Sequence, residues 1–210
     1  MTSLREQTVT GTEPKRRRRE ETRQKLLDAA TEVFARHGYE RATVDEIVRE
    51  AGFSKGAFYV HFESKEDLFW EMLQDRIAML QEALRQAIDM SAPAAENERR
   101  ILQTLFDLDK QDPLWPAMFM EFAAHAGRNE KVRRRLAELY ERWHSFTVQM
   151  LKAGREAGKV RNDLDLGFMA SALLAVIEGA IMQSRLAPEC VRLDTMVGPL
   201  SKLLAEWVEA

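Results

Sequence analysis

Between about Glu20 and Gly38 the apolar residues Leu26, Leu27, Ala30, Val33 and Phe34 fall on one side of a 3.6-residue repeat, which predicts an amphipathic helix stopped by Gly38. Thr43 and Glu46 make a capping-box pair, and Val44, Ile47, Val48 and Ala51 follow at the spacing of a short helix ended by Gly52. Ser54 can cap a second short segment running from Lys55 to about His61. Ser64 and Asp67 form another capping box, opening a long helix that carries Leu68, Phe69, Met72, Leu73, Ile77, Leu80 and Leu84.

The rest of the chain is helical by pattern. Breaks are expected near Pro93, Pro113, residues 127–129, residues 158–163 and Pro188. Apolar stripes lie between them: Ile101, Leu102, Leu105 and Phe106; Trp115, Met118, Phe119 and Phe122; Leu136, Leu139, Tyr140, Trp143, Phe146 and Met150. No strand pattern competes, so an all-α fold of about nine helices is predicted. Residues 1 to about 14 combine Thr, Ser, Gly and Pro with little apolar content and cannot offset the entropy of ordering, so with the basic run that follows, residues 1–19 read as a disordered basic arm. Residues 20–66 then read as a small three-helix domain and residues 67–210 as a larger helical one.

Composition narrows the partners. With 45% hydrophobic residues in 210 the chain can build a real core. Its formal net charge of -3 argues against coating DNA by bulk positive charge, since such binding scales with the phosphates neutralised. The basic residues are instead concentrated at Lys15, Arg16, Arg17, Arg18 and Arg19, so contact with nucleic acid should be local and oriented. The single cysteine, Cys190, excludes an internal disulfide framework, and no leader pattern is visible. A cytoplasmic setting is expected.

Residues 44 to 61 supply the two short helices and tight turn of a helix-turn-helix: small Ala51, turn-forming Gly52, Phe53 to plug the turn, and Ser54 to start the second helix. Thr43, Ile47, the run Ala51, Gly52, Phe53, Ser54, Lys55, Gly56, then Phe58, Tyr59, His61, Phe62, Lys65 and Leu68 closely resemble the DNA-binding region of the TetR family of bacterial transcriptional regulators. The resemblance covers residues 20 to 73 with strong motifs and the remainder by helical layout alone. It implies that Ser54, Lys55, Gly56, Ala57, Tyr59 and Val60 read bases in the major groove. Their chemistry is compatible: Lys55 can donate to guanine O6 and N7, Ala57 can meet a thymine methyl, and Gly56 permits close approach. Thr43, Tyr59, His61 and Lys65 match positions that hold phosphates. Tyr59 and His61 have a plainer reading as half-buried surface residues, and Phe58 and Phe62 belong in the core. The run Arg16, Arg17, Arg18 and Arg19 is open to two readings, a minor-groove arm or a solvated charge run.

For the larger domain the resemblance implies an effector pocket and a dimer face made by the last two helices. Ala172, Ala175, Gly179, Met196, Leu200, Leu204 and Trp207 are the candidate dimer residues, with packing inside one subunit as the alternative. Phe106, Trp115, Met118, Phe119, Phe122, Trp143, Phe146, Met150 and Met182 could line an adaptable apolar pocket, with His125, Glu121, Glu178 and Gln183 as polar anchors, or could be ordinary core. The implied partners are double-stranded operator DNA, a second copy of the chain and a small-molecule effector. Binding of the effector would displace the long helix that opens at Ser64.

Enzyme chemistry finds no foothold. His37 and His61 fall in the DNA-binding part, while His125 and His144 lack a matched carboxylate motif, and neither a phosphate-cradling loop nor a nucleophile elbow is present. No metal or cofactor is expected. A helical interaction adaptor that keeps its helix-turn-helix only for packing is the remaining rival.

Overall fold

A computed structural model describes residues 13–89 and 91–209, and among them the chain forms nine α-helices in two units, residues 1–72 and 73–210. The first unit holds α1 (Glu13–Arg41), α2 (Val44–Ala51), α3 (Lys55–Tyr59) and the opening turns of α4 (Lys65–Ala87). The second holds the rest of α4, then α5 (Ala94–Gln111), α6 (Trp115–Ala126), α7 (Glu130–Glu156), α8 (Leu166–Leu186) and α9 (Leu193–Val208). The intervening loops fall at the five breaks read from Pro and Gly positions.

Local chemistry explains the short elements of the first unit. Gly38 takes φ 75°, which interrupts α1 as its sequence position suggests. The Thr43 hydroxyl accepts the Glu46 amide at 3.3 Å while the Glu46 carboxylate accepts the Thr43 amide at 2.9 Å, the two halves of a capping box. Gly52 ends α2 at φ 73°, and the next amide, Phe53, reaches back to the Val48 carbonyl at 2.8 Å. Ser64 Oγ accepts the Asp67 amide at 3.1 Å at the head of α4. The core is aromatic: Phe34, Tyr39 and Phe69 meet with ring centroids 4.9 to 5.6 Å apart, and Phe58 is fully buried against Phe62.

In the second unit α5 packs chiefly on α9, and α7 on α8 and α6. One apolar core runs through Leu102, Phe106, Leu173, Val197, Leu200 and Leu204.

Two expected boundaries move. Residues 1–12 of the predicted arm lie outside the described residues, but Arg16 to Arg19 are helical and exposed, continuing α1 toward its N-terminus. The arm was predicted from composition, and i, i+4 pairing such as Arg17 with Glu21 at 3.0 Å supports helix there instead. The division between units falls after Met72 rather than after residue 66, because Leu68 and Phe69 are buried with the first unit's core.

Candidate nucleic-acid interface and apolar cavity

The five-residue helix α3 is anchored from one side. Phe58 is wholly buried, whereas Tyr59 and Val60 are 56% and 62% exposed, and Ser54, Lys55 and Gly56 are exposed as well. Ser54 Oγ is committed to capping, accepting the Ala57 amide at 3.2 Å. Lys55 Nζ sits 2.8 Å from Asp45 Oδ1, and this partner raises the lysine's pKa; an exposed pair of this kind is weakly held and can be exchanged for a base edge. Thr43 is exposed, with its hydroxyl donating to Glu46 at 2.8 Å, so a phosphate there has to compete with that carboxylate. His61 is half-buried, and burial, then Arg19 and Arg23, hold its pKa below the ordinary value. The imidazole is therefore neutral at pH 7, keeping one N–H to donate.

Lys65 departs from its expected role. Its ammonium donates to the carbonyls of Tyr39 (2.7 Å), Ala42 (2.8 Å) and Glu40 (3.2 Å) and lies 4.6 Å from the centre of the Tyr39 ring. Three donors facing three carbonyls leave none for a phosphate, so the residue ties α4 to the end of α1 and to Ala42 just beyond it. The arginine run is corrected too. Arg16 to Arg19 form an exposed helical run at the start of α1 in place of a disordered arm. Arg19 instead points its guanidinium at the Val60 carbonyl, 3.5 Å away at the end of α3.

The second unit contains a cavity of about 430 Å³. Of the residues expected to line a pocket, Trp115, Phe119, Trp143, Phe146, Met150 and Met182 do line it, together with Glu178. Phe106, Met118, Phe122 and His125 do not. Phe106 is buried in the core shared by α5 and α9; Met118 and Phe122 occupy the adjacent, buried strip of α6; and His125 Nε2 is 3.3 Å from the Asn129 side chain that caps α7. Glu121 and Gln183 are exposed outside the cavity. Sequence reasoning missed Glu98, Tyr140 and the aliphatic wall of Leu80, Ile101 and Ile177. Glu98 is pushed up to about 7 by burial alone. Burial and the Glu178 charge raise Tyr140 to about 12, and desolvation raises Glu178 against the pull of the Tyr140 hydroxyl. Arg76 donates to the Leu108 carbonyl (3.1 Å) and lies 3.5 Å from Asp112, while its Nε is buried with no partner, and Asp109 pairs with Arg185 (2.8 Å).

The expected dimer face is only half exposed. Leu200 and Leu204 are buried in their own subunit's core, Leu204 completely, so they cannot meet a partner. Ala175 is exposed, and Ala172, Gly179, Met196 and Trp207 are partly covered. What lies open is a stripe of α8, with Phe168 and Leu186 each 70% exposed and Met182 between them. The 21-residue α8, with a mean hydropathy of 1.7 over its most apolar window, is long and apolar enough to cross a membrane by composition, yet it packs against α7 and α9.

Two family models divide the chain along the same lines. Residues 26–72 match the bacterial regulatory proteins of the tetR family, and residues 94–210 match the C-terminal part of BetI-type transcriptional repressors. The chain belongs to the TetR family. Among its relatives, the transcriptional repressor DhaR of Mycobacterium sp. strain GP1 is 30% identical over 166 residues, covering 78% of this chain and 82% of DhaR. Among solved structures, a TetR regulator from Haloarcula marismortui superposes with a TM-score of 0.75 at 18% identity, over 91% of this chain and 100% of that one. The regulator FadR of Bacillus subtilis, solved with stearoyl-CoA, does so with a TM-score of 0.73 at 20% identity, over 89% and 99%. This TetR-family chain is a DNA-binding transcriptional regulator, and its relatives are regulators rather than enzymes. Members of the family bind operator DNA as dimers and respond to small molecules.

Membership gives Gly56 a test. A Cβ there would meet only Ser54 Oγ, at an ordinary 3.6 Å, and φ is not positive, so nothing within the chain requires glycine. Gly56→Ala should leave the protein as stable or about half a kcal/mol more so. If the helix approaches DNA closely at that point, the added methyl weakens operator binding by at least about tenfold, a loss near 1.4 kcal/mol. Unchanged affinity in a gel shift removes Gly56 from the contact surface.

Proposed function

We propose that the protein is a cytoplasmic repressor: a homodimer that places its two α3 helices in successive major grooves of an operator and releases it when an apolar small molecule occupies the second unit's cavity. The observation that carries the DNA half is the one-sided anchoring of α3. Phe58 holds the helix in the core while Lys55, Tyr59 and Val60 face outward from it. Under this reading Lys55, Gly56, Ala57, Tyr59 and Val60 meet base edges, and Tyr59 and His61, with Thr43 once Glu46 gives way, meet phosphates.

Effector response is supported by the path of α4. The helix supplies Leu68 and Phe69 to the first unit's core and Leu73, Ile77, Leu80 and Leu84 to the cavity wall. A ligand that binds better to one disposition of α4 shifts the population toward it, and only by its difference in affinity. The spacing of recognition helices needed for DNA is about 34 Å, so a small displacement suffices to spoil the fit. FadR of Bacillus subtilis, solved with stearoyl-CoA, is an instance of this fold with a ligand that has a long apolar chain.

The second copy is supported by the stripe of Phe168, Ala175, Met182 and Leu186 on α8, an apolar surface at helical spacing that the described residues of its own subunit leave exposed. The experiment is a gel shift with DNA from upstream of the protein's own gene, run beside sedimentation. The parent chain should sediment as a dimer and retard that DNA. The double variant Phe168→Glu, Leu186→Glu should be monomeric and bind at least about a hundredfold more weakly, because the second half-site is no longer tethered. A variant that stays dimeric with full affinity refutes the α8 interface, and a parent chain that ignores the DNA refutes autoregulation.

A further inference from the structure

We propose that the ligand of this cavity is a lipophilic cation: an apolar body carrying one positively charged nitrogen, which docks against the Glu98 carboxylate. This rests on the reading of the cavity as the effector site and names the chemical class that site selects.

Glu98 lies on α5, half-buried, and lines the cavity. Among the described residues no hydrogen-bond donor or cation reaches it, and desolvation is the only influence that shifts its ionisation. Its neighbours on the helix are otherwise engaged. Glu96 takes both nearby arginines, with Arg99 at 2.8 Å and Arg100 at 3.0 Å, while the Asn97 amide is tied to the Asp89 backbone through two bonds of 2.9 Å. The helix thus directs one carboxylate outward to a double guanidinium partner and leaves the next but one inside with none.

A desolvated carboxylate without a partner costs several kcal/mol unless it takes a proton or meets a cation. The remaining charged and titratable groups on the cavity wall supply no internal counter-ion. Arg76 on α4 is held by Asp112, Asp109 on α5 by Arg185, and Tyr140 on α7 and Glu178 on α8 share a hydrogen bond with each other. Lys159, after α7, also lines the cavity but exerts no influence on Glu98. An entering ammonium therefore finds an acid without a partner, whereas an entering anion is repelled by the Glu98 and Glu178 carboxylates on the same wall. The rings of Tyr140, Trp143 and Phe119 on the same wall add faces that attract cations and cover an apolar body. A volume of about 430 Å³ fits a drug-sized molecule.

Ionisation then becomes part of recognition. With Glu98 at about 7, its charged fraction rises from about one-tenth at pH 6 to about nine-tenths at pH 8. A permanently charged ligand should bind about tenfold more tightly at the higher pH, and a neutral one should not.

The test is calorimetric titration of the full-length protein with three probes of one shape: para-butylbenzyl-trimethylammonium, para-butylbenzyl alcohol and para-butylbenzoate. The ammonium should bind tightest at about pH 8 and lose roughly tenfold by about pH 6. In Glu98→Gln it should bind at least about tenfold more weakly at about pH 8 with no remaining pH dependence, while the alcohol stays within about twofold. If the alcohol or the benzoate matches the ammonium, or if Glu98→Gln leaves ammonium binding intact, the cation assignment is overturned. The cavity itself is tested separately with Ile101→Trp, Ile177→Trp, which narrows it and should abolish binding of every probe. Probes that bind this variant undiminished overturn the cavity as the ligand site, and absence of any binding to the parent chain overturns the cation assignment.

Discussion

Lys65→Met should destabilise the DNA-binding unit by about 2–4 kcal/mol, the expected cost of removing a cation from three carbonyls while keeping its apolar stem. Those carbonyls, on Tyr39, Glu40 and Ala42, lie where Gly38 has broken α1 and no helical amide remains to satisfy them. The ammonium also sits over Tyr39, whose ring packs on Phe34 and Phe69, so the loss is transmitted into the small aromatic core. Thermal unfolding followed by circular dichroism should show a midpoint several degrees lower, and amide exchange at residues 39–43 should quicken. Operator affinity falls as well, but its slope against salt stays the same, because no phosphate contact is removed. An unchanged midpoint together with a salt slope reduced by about one would instead return Lys65 to the phosphate-binding set.

The second large effect concerns Glu98 and runs the opposite way. Its pKa in the folded protein is about 7 against 4.5 in an unfolded chain, so folding there disfavours the charged form. The cost is absent below the unfolded value, grows as pH rises between 4.5 and about 7, and is complete above about 7. At about 1.4 kcal/mol per pKa unit, Glu98→Gln should stabilise the unliganded protein by up to about 3 kcal/mol at pH 8 and by less than about 1 kcal/mol at pH 5. Urea unfolding at the two pH values measures the difference. Equal stabilities at both would mean that the carboxyl finds a partner or water in solution. A group that weakens the free protein while serving its ligand is the usual form of a stability cost located at a binding site, and a bound cation should return the lost stability.

The DNA-binding unit was readable because its determinants are local. A capping box needs residues three apart, a turn needs Gly52, and a five-residue helix needs one apolar anchor, so Thr43, Glu46, Gly52, Ser54 and Phe58 declare themselves without reference to the rest of the chain. The failures in the same unit are long-range. Lys65 and the Tyr39 carbonyl are 26 residues apart, and no spacing rule links a lysine in a charged run to a broken helix end. At Arg16 to Arg19 composition suggested a disordered arm, and side-chain pairing along a helix decided otherwise.

In the second unit, periodicity established that apolar stripes exist but not what each one faces. Trp115 and Phe119 reach the cavity while Met118 and Phe122, in the same helix, are buried beside it. Leu200 and Leu204 have the same apolar character as Phe168 and Leu186, yet the first pair packs against its own subunit and the second faces outward. Glu96 and Glu98 are two residues apart and of one type, and only the docking of α5 against its neighbours separates Glu96, bonded to two arginines, from Glu98, which lines the cavity. Fold class, the breaks between helices and the short helices α2 and α3 followed from neighbours in the chain, where a few bonds select the conformation. Cavity, partner face and buried charge came from tertiary packing, because burial depends on which helices meet and a residue's type does not record that.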